Sequence, residues 1–231
     1  MVTDRRSWLA GGIVAVVLLG LAGFLLVQNR DAPQVTVQPL QPTAEASPTS
    51  PPVELSWVDA GGVALPVSAT HGPRRLVADL ASGWAQSEEG AALAAAHLLV
   101  RTGPTVCPEV FEPTITGQAT GPNVAALKLA VNEQYAELAQ TATATRGPQG
   151  SAQLVGYRVA TFDLETGAAV IDLVLDSTQL SESERYLQVT VSLEWLNDDW
   201  WLVAPPKGDW SLVSSPVGAL PDGLQRYEDL A

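Results

Sequence analysis

Residues 185–204 read RYLQVTVSLEWLNDDWWLVA, and the fold turns on how this stretch is laid out. From 185 to 196 apolar and polar side chains alternate, with Leu187, Val189, Val191, Leu193 and Trp195 on one face and Gln188, Thr190, Ser192 and Glu194 on the other. Period two marks a strand with one buried face. Asn197 and Asp198 tolerate positive φ better than most residues and suit a two-residue hairpin turn into a further strand at 200–204. The turn sets the register: Trp195 pairs with Trp200 and Leu193 with Leu202 on the core face, while Trp201 and Val203 point away. Residues 154–163 and 168–176 supply two earlier strands after the Gly/Pro loop at 147–150, so four strands follow one another.

Upstream the period lengthens. Ser87 suits an N-cap, with Glu88 and Glu89 where a helix dipole favours negative charge, and the helix runs to about Arg101 with Leu93, Ala96, His97 and Val100 on one face. Gly103-Pro104 ends it. A second helix starts at Pro122, where proline fits a first position, and carries Val124, Leu127, Val131, Tyr135 and Leu138 at helical spacing. Between them Pro104, Pro108, Pro113 and Gly117 read as a turn-rich connection from which Phe111 and Ile115 plug the core. Helices followed by sequential strands describe an α+β domain, helices packed on a curved antiparallel sheet.

The N-terminal part has a different composition. Residues 8–27, WLAGGIVAVVLLGLAGFLLV, run for 20 positions without a charge, enough for roughly 30 Å of hydrocarbon. Arg5 and Arg6 precede it while Arg30 and Asp31 cancel beyond it, which places residues 1–7 in the cytoplasm and the remainder outside the cell membrane. Arg5-Arg6-Ser7-Trp8-Leu9 resembles a twin-arginine address. The apolar run is nevertheless longer than a signal h-region and no small-x-small site follows Val27, so the segment reads as a retained transmembrane helix. Residues 28–56 are rich in Pro, Ser, Thr, Gln and Ala and read as a linker. The domain then occupies 57–212, and 213–231 form a tail with one short helix from Pro221.

Twelve Lys+Arg against 25 Asp+Glu, net −13, argue against nucleic-acid binding. Cys107 is the single cysteine and has no CxxC or Cys/His company, which excludes a disulfide framework and a structural zinc site. His97 lies on an apolar helix face and reads as a core histidine. His71 sits in a loop before Gly72-Pro73 with no carboxylate or second histidine at metal spacing. Tyr157, Asp163 and Asp172 are the residues from which a carboxylate-and-phenol site of the ketosteroid isomerase type would be assembled, and solvated strand faces explain them equally well. The pairs Glu88-Glu89 and Asp198-Asp199 are explained by helix-start charge and turn chemistry. No catalytic, cofactor or metal residue is expected. Trp201 and Val203 are the candidate partner interface, because aromatics are enriched at interfaces. The alternative is that the segment after Pro205, with Trp210 and Leu212, folds back over them.

Several short pieces occur in one order: Gly72-Pro73, Gly83-Trp84-Ala85, Glu89-Gly90-Ala91-Ala92 continuing to Val100-Arg101, Val110-Phe111-Glu112-Pro113-Thr114, Gly156-Tyr157-Arg158-Val159, and Trp195 to Pro205. Together, over residues 57–212, they resemble an uncharacterised single-anchor family from integrative conjugative elements of Gram-positive bacteria. The resemblance implies an NTF2-like domain similar to the VirB8-like subunits of type IV secretion channels. It further implies a non-enzymatic scaffold that docks other channel subunits or self-associates. Trp201 departs from the pattern, which has a polar or basic residue there. An accessory protein of Mce-type lipid importers and an exported ligand-binding or isomerase-type domain are the competing readings. If 8–27 is an anchor, N-terminal sequencing of the membrane fraction should return the uncleaved chain; a mature start at Gln28 or later overturns it.

Overall fold

A computed structural model describes residues 54–77, 80–144, 152–177 and 185–230, all within one unit spanning Ser50–Ala231. The expected anchor at 8–27, the stub before it and the linker up to residue 53 lie outside the described residues. Among the described residues no helix is long and apolar enough to cross a membrane.

The four expected strands are present as β6 (Gln153–Asp163), β7 (Ala168–Asp176), β8 (Tyr186–Leu196) and β9 (Asp199–Val203), each antiparallel to the next. Asn197 and Asp198 take φ of 53° and 60°, a two-residue turn with both positions left-handed. The register follows from it, pairing Trp195 with Trp200 and Leu193 with Leu202. The sheet is mixed rather than purely antiparallel, because β5 (Ala119–Thr120) runs parallel to β9 on its outer edge. Two further strands come from the region read as a tail: β10 (Ser214–Val217) pairs with β8, and β11 (Gln225–Arg226) pairs with β6. The chain therefore remains part of the sheet well beyond residue 212, and Tyr227, fully buried against Tyr157, belongs to the core. Residues 227–230 form a 3-10 turn rather than an α-helix.

Helix α1 (Glu88–Arg101) starts at Ser87, whose Oγ accepts from Gly90 N at 3.1 Å. Most of its apolar residues are alanines, and it is buried on nearly every side rather than along one stripe. The reason is a layer absent from the expectation: β1 (Leu55–Ala60) and β2 (Val63–Ser68) form a hairpin over Gly61-Gly62, and α1 packs against both β2 and the sheet. β1 begins at Leu55, inside the segment read as linker. A second small hairpin joins β3 (Arg75–Val77) to β4 (Leu80–Ser82).

The connection read as turns is helix α2 (Pro108–Gln118). Pro108 occupies its first position, where a missing N–H costs nothing, so the proline starts a helix instead of preventing one. Phe111 and Ile115 are fully buried, as expected of core plugs. Helix α3 (Val124–Ala144) packs on α2 and on the turn Pro206–Gly208. Gly208 has φ +71°, and a Cβ there would run into Leu127 N and Ala126 C, so the turn touches the backbone of α3 directly. Gly208→Ala combines left-handed strain with overpacking and should cost about 2–4 kcal/mol. Urea unfolding should show the lower midpoint, and a change below about 0.5 kcal/mol would mean the turn does not hold α3.

Candidate functional site

The sheet face turned away from α1 carries the polar halves of the strands. Register places Arg158, Asp172 and Thr190 in one row across β6, β7 and β8. Asp172 Oδ2 accepts from Arg158 Nη2 at 2.6 Å and its Oδ1 from Thr190 Oγ1 at 2.7 Å, although the residue is only 4% exposed. A buried charge needs such company, and removing Arg158 would leave it unpaired. Val174, on the same face, is fully buried outside the helix-side core. This face is therefore partly covered.

The cover begins after β9. Residues 204–213 swing out from the β8 edge before the chain returns to it as β10, and Trp210 and Val213 stand over the gap. Beside them is a cavity of about 290 Å³, open to solvent on one side, whose lining includes Asn123, Thr190, Ser192 and Val203. Of the two candidate interface residues, Val203 faces this cavity and is half-buried. Trp201, also half-buried, lies opposite the exposed Glu194. Leu212 is 54% exposed and turns outward, so Trp210 and Val213 form the cover.

The titratable residues take other positions. Tyr157 pairs with Leu173 and points into the core, where burial, then Glu89 and Glu88, push its pKa up to about 12. Asp172 lies one residue along the pairing and therefore on the opposite face. Asp163 ends β6 in a turn, accepting from the backbone of Glu165 and Thr166, and hydrogen bonds from Thr166 hold its pKa low. Carboxylate and phenol thus do not converge. Asp198 serves the hairpin turn, while Asp199 accepts from Gly83 N at 2.8 Å and Trp84 N at 3.1 Å. Burial raises the Asp199 pKa against those bonds.

His71 does have a carboxylate near it, contrary to its reading from sequence. Its Nδ1 lies 3.1 Å from Ser87 Oγ and 3.9 Å from Glu89 Oε2. Tertiary folding brings these residues together, and no sequence spacing announces it. A Ser-His-acid relay needs the serine and the acid on different ring nitrogens. Here both approach Nδ1, and Ser87 Oγ already caps Gly90, so the trio fastens the start of α1. Cys107 is exposed and precedes α2 as its N-cap. Among the described residues no group of three or more His, Cys, Asp or Glu could hold a metal ion.

His97 is fully buried, with Nε2 3.0 Å from Pro66 O of the hairpin and its ring 6.1 Å from Trp84. Burial lowers its pKa to about 4, the Pro66 carbonyl opposing and Arg101 adding to the effect.

The chain belongs to the family DUF8175, a domain of unknown function, whose model matches residues 27–224. No curated protein and no solved structure matches it.

The His97 environment has a pH signature. The unfolded imidazole takes a proton near 6.5 and the folded one near 4, so its stabilising share is complete above pH 6.5 and is lost as pH falls toward 4. The difference is of order 3 kcal/mol. His97→Gln keeps a donor for Pro66 O without a proton to gain. Its stability, measured by denaturant between pH 7 and 4, should fall less steeply than that of the natural chain; parallel profiles would place the titration elsewhere.

Proposed function

We propose that this member of DUF8175 is a non-enzymatic, membrane-anchored scaffold component of a conjugative, type IV secretion-like transfer channel, its folded domain NTF2-like and extracytoplasmic. The observation that carries the reading is where the resembling motifs meet. Gly83-Trp84-Ala85 and the Trp195–Pro205 stretch join through Asp199, which holds Gly83 N and Trp84 N, and through Trp200 Nε1, which donates to Ala85 O at 2.9 Å. The shared residues are thus joints of an architecture rather than reagents around a substrate. Several groups suited to chemistry have structural partners: His71 and Ser87 at a helix cap, His97 Nε2 on a backbone carbonyl, Asp172 in an ion pair. The 20-residue apolar run with arginines before it and the proline-rich stretch after it supports a domain held away from a membrane.

In this reading Trp201 contributes to docking against another channel subunit. Trp200 and Trp201 are neighbours with opposite surroundings, and this makes them a controlled pair. Trp200 has no exposed surface, so Trp200→Arg buries an unpaired charge and should abolish cooperative unfolding. Trp201→Arg sets a cation opposite Glu194 and should leave the melting temperature within about 2 °C. In donor cells with matched protein levels, Trp201→Arg should reduce crosslinking to channel subunits and lower conjugative transfer. Normal transfer with Trp201→Arg removes the docking role, and normal transfer in a strain lacking the protein removes the channel reading.

A further inference from the structure

The cavity beside residues 204–213 has a built-in chemistry. No charged side chain lines it. Thr190 gives its hydroxyl proton to Asp172, so toward the cavity this oxygen has only lone pairs to offer. Ser192 and Asn123, also at the wall, bring groups that donate as well as accept. Val203, Val213 and the Trp210 ring supply apolar surface. The walls are fixed independently of any occupant. Ser214 Oγ donates to Trp210 O at 2.7 Å, Asp209 caps Ser211 N at 2.9 Å, and Gly208 presses on the first turns of α3.

We propose that this cavity is a binding site for a small neutral primary amide with a short branched apolar tail. The amide N–H meets Thr190 Oγ1, the amide oxygen takes a proton from Ser192 or Asn123, and the tail lies on Trp210 and Val203. A carboxylate of the same shape is disfavoured, because it would face the Thr190 lone pairs with no countercharge among the wall side chains. A volume of about 290 Å³ limits the occupant to a small molecule or the end group of a larger one. The site lies on the sheet face opposite α1 and stands independently of the channel reading.

The full-length chain with ¹⁵N-labelled tryptophans tests this through the Trp210 indole signal, identified by its loss in Trp210→Phe. Titrated isobutyramide should move that signal saturably, with a dissociation constant on the order of 1–10 mM for so few atoms. Isobutyrate should bind at least about tenfold more weakly. Val203→Phe fills the cavity and should abolish the shift while the remaining tryptophan signals hold their positions. If that variant does not fold, Ser192→Ala, which removes one partner without adding volume, should weaken isobutyramide about fivefold or more. The proposal is overturned by a shift that does not saturate, by equal binding of isobutyrate, or by binding unchanged in the folded variants.

Discussion

A single carboxylate joins the two halves of this domain. Asp199 opens β9 directly after the Asn197-Asp198 turn and accepts from the backbone N–H groups of Gly83 and Trp84, more than a hundred residues earlier. Trp200 completes the clamp by donating to Ala85 O while its ring fills the core. Between these contacts the chain is fixed two residues before the Ser87 cap, so the start and direction of α1 follow from the end of a β-hairpin. The arrangement has a cost, since a partly buried carboxylate is harder to ionise. The three N–H donors it satisfies, including Trp200 N, would otherwise lack partners.

Legibility in the sequence tracks how local each interaction is. The β8–β9 hairpin is written twice, in alternating side chains and in a turn that needs positive φ, and its register is readable from the chain alone. Ser87 announces α1 because its cap bond spans three residues. Proline misleads between Pro104 and Pro113, since Pro108 suits the first turn of α2 while Pro113 sits inside that helix, where it forgoes one backbone hydrogen bond without ending it. The β1–β2 hairpin carries a usable signal in Gly61-Gly62 between two short apolar stretches. β10 and β11 carry none, because SSPV and QR have no period to detect. Of the site, Thr190, Ser192 and Val203 are assigned to the correct face by alternation. The row through Arg158 and Asp172 requires strand pairing, and the cover from Trp210 and Val213 requires the path of the chain after Pro205.

Burial of α1 between hairpin and sheet explains the composition of both. An all-round contact surface favours alanine, since larger side chains would hold the layers apart, and Ala91 to Ala96 are buried with only Leu93 interrupting them. His97 and Arg101 are the helix's buried polar residues, and His97 is compatible because Pro66 O meets it from the hairpin side. The same layer brings Trp57 against Tyr227, with ring centroids 6.1 Å apart, so the first strand and the last turn close one end of the core together.

The outermost strands of the sheet are its shortest. β5 covers part of β9 with two residues, and β11 covers part of β6 with two more. Along β6 the fit is close: Gly156 has no side chain where β11 lies, and a Cβ there would meet Gln225 O. Long strands left bare would present unpaired N–H and C=O groups to any neighbour, the usual route by which β-proteins stick together. Two-residue borders interrupt that template without extending it. Pairing of another chain along the whole of β9 or β6 therefore requires these short borders to be displaced first.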